Sequence, residues 1–199
     1  MKKRTYRRIA VERLDVERLR GRLDGGRVVF AVDVAKVGMV GAFVAEDREV
    51  LVTVAWNNPD QNHLVLDVLR QVQGDGCRVE VVMEPSATYG DVLRHLLEEA
   101  GMAVFRVSGK RTFDAKEVYD GVPSLHDAKS AAILARLHLE GASARWHPTP
   151  LEQRTLRAAV VVMTMHREHH QRLVHQLEPW LARHWPELTT LLDLTAASL

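Results

Sequence analysis

Cysteine is almost missing from this chain: Cys77 is the single one in 199 residues. That excludes an internal disulfide and a zinc site built on cysteines. Long apolar runs are missing too. Stretches such as Ala158–Met163 fall far short of the about 20 residues that cross a bilayer. The charged start Met1-Lys2-Lys3-Arg4 leads into more charge, not an apolar segment, so no secretory signal is expected. The expected location is cytoplasmic, with no membrane partner. What is present is ordinary globular composition, 46% hydrophobic and 27% charged. The length suits one domain with an appendage.

A net charge of +1 conceals an uneven distribution. Residues 1–26 carry nine Lys/Arg against four Asp/Glu, and residues 27–150 carry thirteen against seventeen. A basic arm on an acidic middle suits nucleic acid binding through the arm, and equally suits a solvated helix. Residues 1–26 read as a basic helical arm: Ile9, Leu14, Leu19 and Leu23 form a loose apolar stripe over Lys2–Arg22, which Gly25-Gly26 stop.

The period then changes. Arg27–Ala35, Gly38–Ala45 and Glu49–Trp56 are β-rich runs joined by short links, so they are expected to pair antiparallel. After Asn57-Asn58-Pro59 a helix runs to about Gln73. Arg78–Glu84 is a fourth strand, apolar apart from its alternating acids, as suits a central position. A helix from Tyr89 to Ala100 and a fifth strand, Met102–Val107, follow. Strands joined by such helices require parallel crossovers. The order β-β-β-α-β-α-β-α is that of a ribonuclease H-like α/β fold, a mixed five-stranded sheet with flanking helices. Residues 27–145 are assigned to this domain. Trp146-His147-Pro148-Thr149-Pro150 links it to a helical segment, 151–199. There Leu156, Val160, Met163, Arg167, His170, Val174, Leu177 and Leu181 form a coiled-coil-like seam, weakened at Arg167 and His170.

Asp33 sits in an apolar strand and Glu84 ends another. Buried carboxylates are costly unless paired or bound to a cation, and two neighbouring ones repel unless a proton or metal lies between them. Magnesium, with manganese as a substitute, suits a few carboxylates plus phosphate oxygens. Two such ions about 3.5–4 Å apart support phosphodiester transfer. Each acid has a plainer alternative. Asp33 suits a strand-end cap, and Glu84 a helix N-terminus. Asp127 suits a capping box with Ser124, ahead of a helix Ala128–Leu139. The stretch Arg106–Lys116 reads as a basic loop whose Arg106, Lys110, Arg111 and Lys116, with Phe113 among them, suit phosphate contact and base stacking, or simple solvation. His166, His169 and His170 do not make a zinc site without a suitably placed third ligand.

Taken in order, these segments resemble the DEDD transposases of the insertion-sequence-110 family. Val32-Asp33-Val34-Ala35-Lys36 resembles their IDVSK opening, and Met83-Glu84-Pro85-Ser86-Ala87-Thr88-Tyr89 their E-x-T-G-x-Y segment. Gly101-Met102-Ala103-Val104 with the basic stretch after it is similar to G-x-x-V … K. His126-Asp127-Ala128-Lys129 resembles the start of the D-A-x-x-x-A helix, and Trp185-Pro186-Glu187-Leu188 resembles F-P-E-L. The resemblance spans about residues 27–190. It implies a RuvC-like domain whose four acids bind magnesium, and DNA recombination for a mobile element, in some members guided by a structured bridge RNA. It further implies dimers and tetramers, and a separate C-terminal domain with a serine nucleophile.

On this sequence Asp33, Glu84 and Asp127 match the first, second and fourth acids. The third is expected three residues before the fourth, where Ser124 stands; Asp120, seven residues before Asp127, is the candidate substitute. The serine domain is not expected within residues that stop at Leu199. Two readings follow: a metal-binding part of a transposase, or a catalytically incomplete module of the same fold that binds nucleic acid and dimerises. A sugar-kinase or actin-like ATPase would need a second similar domain, and only helices are expected after Ala128.

Overall fold

The computed structural model describes residues 7–23, 25–74, 76–85, 88–120 and 127–191, the side chains of 116–120 and 190–191 excepted. The chain divides into two compact units after His147.

The first unit is built on a seven-stranded sheet. Its strands are β1 (Arg8–Ala10), β2 (Arg27–Asp33), β3 (Gly38–Ala45), β4 (Val50–Asn57), β5 (Arg78–Met83), β6 (Ala103–Arg106) and β7 (Ala144–Arg145). Their order is β1-β4-β3-β2-β5-β6-β7. β2, β3 and β4 form the expected antiparallel meander, and β5 and β6 add in parallel. The five-strand order β4-β3-β2-β5-β6 with these senses is ribonuclease H-like. The two edge strands were not expected from the sequence: β1 pairs parallel with β4, and β7 antiparallel with β6.

Five helices, packed as two layers on the sheet, explain why β2 is apolar on both sides. Val28, Phe30 and Val32 pack on one face, with residues of α1 (Val16–Leu23), α2 (Asn62–Gly74) and α3 (Asp91–Glu99). Val29 and Ala31 pack on the other, against α4 (Gly109–Asp120) and α5 (Asp127–Leu139). A strand covered on both faces reads as a continuous hydrophobic run. Two of the helix ends are set by glycine. At Gly101 (φ +74°), the Gly101 N–H donates to Glu98 and that of Met102 to Leu97; Gly141 (φ +78°) closes α5 in the same manner. This is the left-handed helix terminus that a Cβ disfavours.

Two expectations need correction. The single helix over Lys2–Arg22 is instead, among described residues, the strand β1, a 3-10 turn Val11–Arg13 and the short helix α1. Val11, Leu19 and Leu23 are buried in the sheet's core, so these residues belong to the fold. The basic stretch Arg106–Lys116 is mostly the helix α4, started by Ser108, whose hydroxyl accepts from the Arg111 N–H at 3.3 Å. A serine at that position satisfies an otherwise orphaned N–H.

The second unit holds the sixth helix, α6 (Leu151–His184), and a short α7 (Pro186–Leu191). Along α6 the seam residues Leu156, Val160, Met163 and Leu177 are exposed, while Leu181 is buried. No helix among the described residues is long and apolar enough to cross a membrane.

Candidate metal and nucleic-acid site

Strand alternation places the first two acids together. Asp33 ends β2, one residue beyond Val32, which lies in register with Met83 of the adjoining parallel strand. Glu84 follows Met83. Successive side chains alternate between faces, so Asp33 follows Val29 and Ala31, and Glu84 follows Val82, onto the α4/α5 face. Both are half-buried.

Asp127 reaches the same end of the sheet by another route. At the far end of α5, Glu140 pairs at 3.2 Å with Arg48 in the β3–β4 turn, beside the start of β2. α5 spans about 20 Å at 1.5 Å per residue, close to the length of β2. Its first residue therefore lies level with the end of β2 along the strand direction. The carboxylate of Asp127, however, is ion-paired at 2.8 Å with Arg8 of β1. Among the described residues no three His, Cys, Asp or Glu side chains gather as a set able to hold a metal ion.

The plainer reading of Glu84, an acid at the start of the next helix, points to the wrong helix. α3 starts at Asp91, whereas Glu84 lies against the first residue of α4. A Cβ added at Gly109 would sit 2.8 Å from Glu84 Oε1. The bare glycine is what leaves the carboxylate its room. Two side-by-side carboxylates with such a cradle fit a hard divalent cation, which takes oxygen ligands. Asp127 fits only after exchanging its partner.

The other expected residues divide. Lys110, in the first turn of α4, is exposed near the same strand ends; Arg106 is exposed too, but its register with Met83 turns it to the α1–α3 face, opposite the acids. Arg111 donates to the Ala142 carbonyl at 2.8 Å, tying α4 to the turn after α5. Phe113 is exposed. The side chains of Lys116 and Asp120 lie outside the described residues, as does Ser124; Asp120 closes α4, at the opposite end from Gly109. His166, His169 and His170 lie exposed along α6, and Cys77 is buried.

Sequence reasoning missed a buried polar network. Glu80, 2% exposed in β5, accepts from Arg27 Nη2 at 2.7 Å, and its other oxygen is 2.8 Å from Arg78 Nη2. His138 of α5 places Nε2 at 2.8 Å from Glu80 and Nδ1 at 2.7 Å from Ser143 Oγ. Burial raises the Glu80 carboxyl, but hydrogen bonds and charge from His138 and Arg27 together outweigh it and hold the group below its usual range. Burial also lowers His138, against the pull of Glu80. A neutral imidazole then donates from Nε2 to Glu80 and accepts at Nδ1 from the Ser143 hydroxyl. The signal was an acid inside an apolar strand with arginines at the strand starts.

The family model for insertion-sequence-110 DEDD proteins, described as a transposase, matches residues 30–186. No curated protein sequence matches the chain. Similar solved structures include Thermus thermophilus RuvC in complex with a Holliday junction substrate, 14% identical with a TM-score of 0.45. That match covers 60% of this chain and 99% of the other. A second T. thermophilus RuvC structure matches over the same shares, with 14% identity and a TM-score of 0.44. A ROK family transcriptional regulator, a homolog of the E. coli MLC protein, is 11% identical with a TM-score of 0.31, covering 47% of this chain and 31% of that one. The family match spans well over half of the sequence, and the chain belongs to the insertion-sequence-110 DEDD transposase family.

Proposed function

We propose that this domain supplies the acidic centre of a DNA recombination reaction on a mobile element. The observation that carries the reading is the placement of Asp33 and Glu84 on one face of adjoining parallel strand ends. Asp33, Glu84 and Asp127 would hold magnesium or manganese; Asp120, the candidate for the acid expected at Ser124, closes α4 about 16 Å of helix away from Gly109 and so stands outside that set. When bound, the cation activates a nucleophile and stabilises the leaving oxygen of a phosphodiester. The chain's own part is positional. Strand pairing sets Asp33 beside Glu84, Gly109 leaves the Glu84 carboxylate its room, and Lys110 attracts the phosphate backbone. DNA is the substrate, and a structured guide RNA is a second nucleic-acid partner. The exposed apolar residues of α6 pair copies of the chain into a dimer or tetramer, since an apolar seam of this length is stabilised by burial against a second helix.

A second reading, a nucleic-acid-holding module without turnover, draws support from the Arg8–Asp127 ion pair. Calorimetric titration of magnesium and manganese tests the first. Binding lost only in Asp33→Asn supports this set. Binding lost in both Asp33→Asn and Asp120→Asn returns Asp120 to the centre. Absence of binding by the native chain favours the module.

A further inference from the structure

We infer that Arg8 is a cation-displaceable latch on Asp127, and that its released guanidinium becomes a phosphate contact for the nucleic acid. The inference rests on the metal-binding reading above. Arg8 belongs to the edge strand β1, where it lies in register with Thr53 of β4. The next residue, Ile9, packs against the core on the α1–α3 side. Alternation therefore turns Arg8 to the opposite face, the one that carries Asp33, Glu84 and α5. Its backbone is held by the pairing with β4 and by the buried Val11. Its side chain is therefore the part that lets Asp127 go.

The pair suits exchange. Its side chains are 45% and 54% exposed, and ion pairs in such surroundings add little to stability and weaken with salt. A divalent cation held by Asp33 and Glu84 would offer Asp127 a direct oxygen-ligand position, a stronger hold than a solvent-exposed guanidinium gives. Once free, Arg8 remains tethered on β1, three strands from β2 on the same face of the sheet, and a phosphate oxygen is the natural partner for its planar fork of donors. The two ligands then become linked: each binds more tightly when the other is present.

The test uses the full chain, its Arg8→Gln and Arg8→Lys variants, and Asp127→Asn. Manganese affinity is read by calorimetry at low salt, and binding of a short DNA duplex by fluorescence anisotropy in calcium. Arg8→Gln is expected to tighten manganese about two- to fivefold, the range that a surface ion pair can contribute. It is also expected to weaken DNA binding in calcium and to lower the salt slope by about one phosphate contact. Arg8→Lys keeps the charge and is expected to lie near the native chain for manganese. In an Asp127→Asn background, Arg8→Gln is expected to leave manganese affinity unchanged. A merely structural defect would weaken both ligands together. Native binding that Arg8→Gln leaves equal or weaker overturns the latch while leaving the metal centre standing. Failure of both chains to bind manganese overturns the metal reading and the latch with it.

Discussion

Glu84 rests its carboxylate against the bare Cα of Gly109, with 2.8 Å between Oε1 and the place a Cβ would occupy. Because the intruding atom is the end of a flexible side chain, the fold can yield and the carboxylate cannot stay. Gly109→Ala is therefore expected to keep or slightly raise the melting temperature, since alanine is the better helix former by up to about 1 kcal/mol. Manganese affinity is expected to fall in the same variant. Calorimetry and thermal unfolding on one preparation check the opposite signs.

Asp33→Asn keeps the shape of the strand end and removes a charge. Loss of manganese affinity by about tenfold or more is expected, since changes to groups that only support a metal ligand already cost 10- to 100-fold. A melting temperature within a few degrees of the native value separates ligand loss from unfolding.

The Glu80–His138 network makes stability acid-sensitive. His138 has its proton affinity lowered by burial from the ordinary value of 6.5, so below that pH the unfolded chain binds the proton first and the fold loses stability. Glu80 is held below its ordinary value of 4.5, so a second loss follows as pH falls through the carboxylate range. Each proton contributes a slope of at most about 1.4 kcal/mol per pH unit. Urea unfolding between neutral and acid pH is expected to show the first decline, and His138→Gln to flatten it.

Removing Glu80 altogether leaves the buried His138 Nε2–H and the partly exposed Arg27 guanidinium without their acceptor. Glu80→Ala is expected to cost about 1–3 kcal/mol, the penalty for a buried donor left unsatisfied. Denaturant midpoints measure it. An effect below about 1 kcal/mol would show that Arg27 and His138 find water instead.

Gly41 tests the opposite core. A methyl there would run into the ring of Phe30 and meet Trp56, which already pack with ring centroids 6.0 Å apart. Gly41→Ala is expected to destabilise by about 1–3 kcal/mol through overpacking, without changing cation affinity measured well below the melting point.

The periodicity of Arg27–Asp33, Gly38–Ala45 and Arg78–Met83 carried the central sheet, because a strand buried on two faces has little freedom of composition. It also carried Asp33 and Glu84, acids that stand out against apolar neighbours. β1 and α4 were not legible. Three residues of edge strand leave no period, and Arg8–Ala10 inherited the helical stripe of its surroundings. The many cations of Gly109–Asp120 masked a helix started by Ser108. The Arg8–Asp127 pair joins residues 119 positions apart, and no local pattern encodes such a partner.

The short strands at both margins bear on how this molecule avoids its own copies. β1 covers β4 for three residues and β7 covers β6 for two. Each leaves a rim with few unpaired amides and carbonyls, and a rim that brief is a poor template for a foreign strand. Sheet extension between molecules is thereby discouraged in the first unit. The proposed pairing of copies through α6 rests instead on side chains, where mutation can tune it without endangering the sheet.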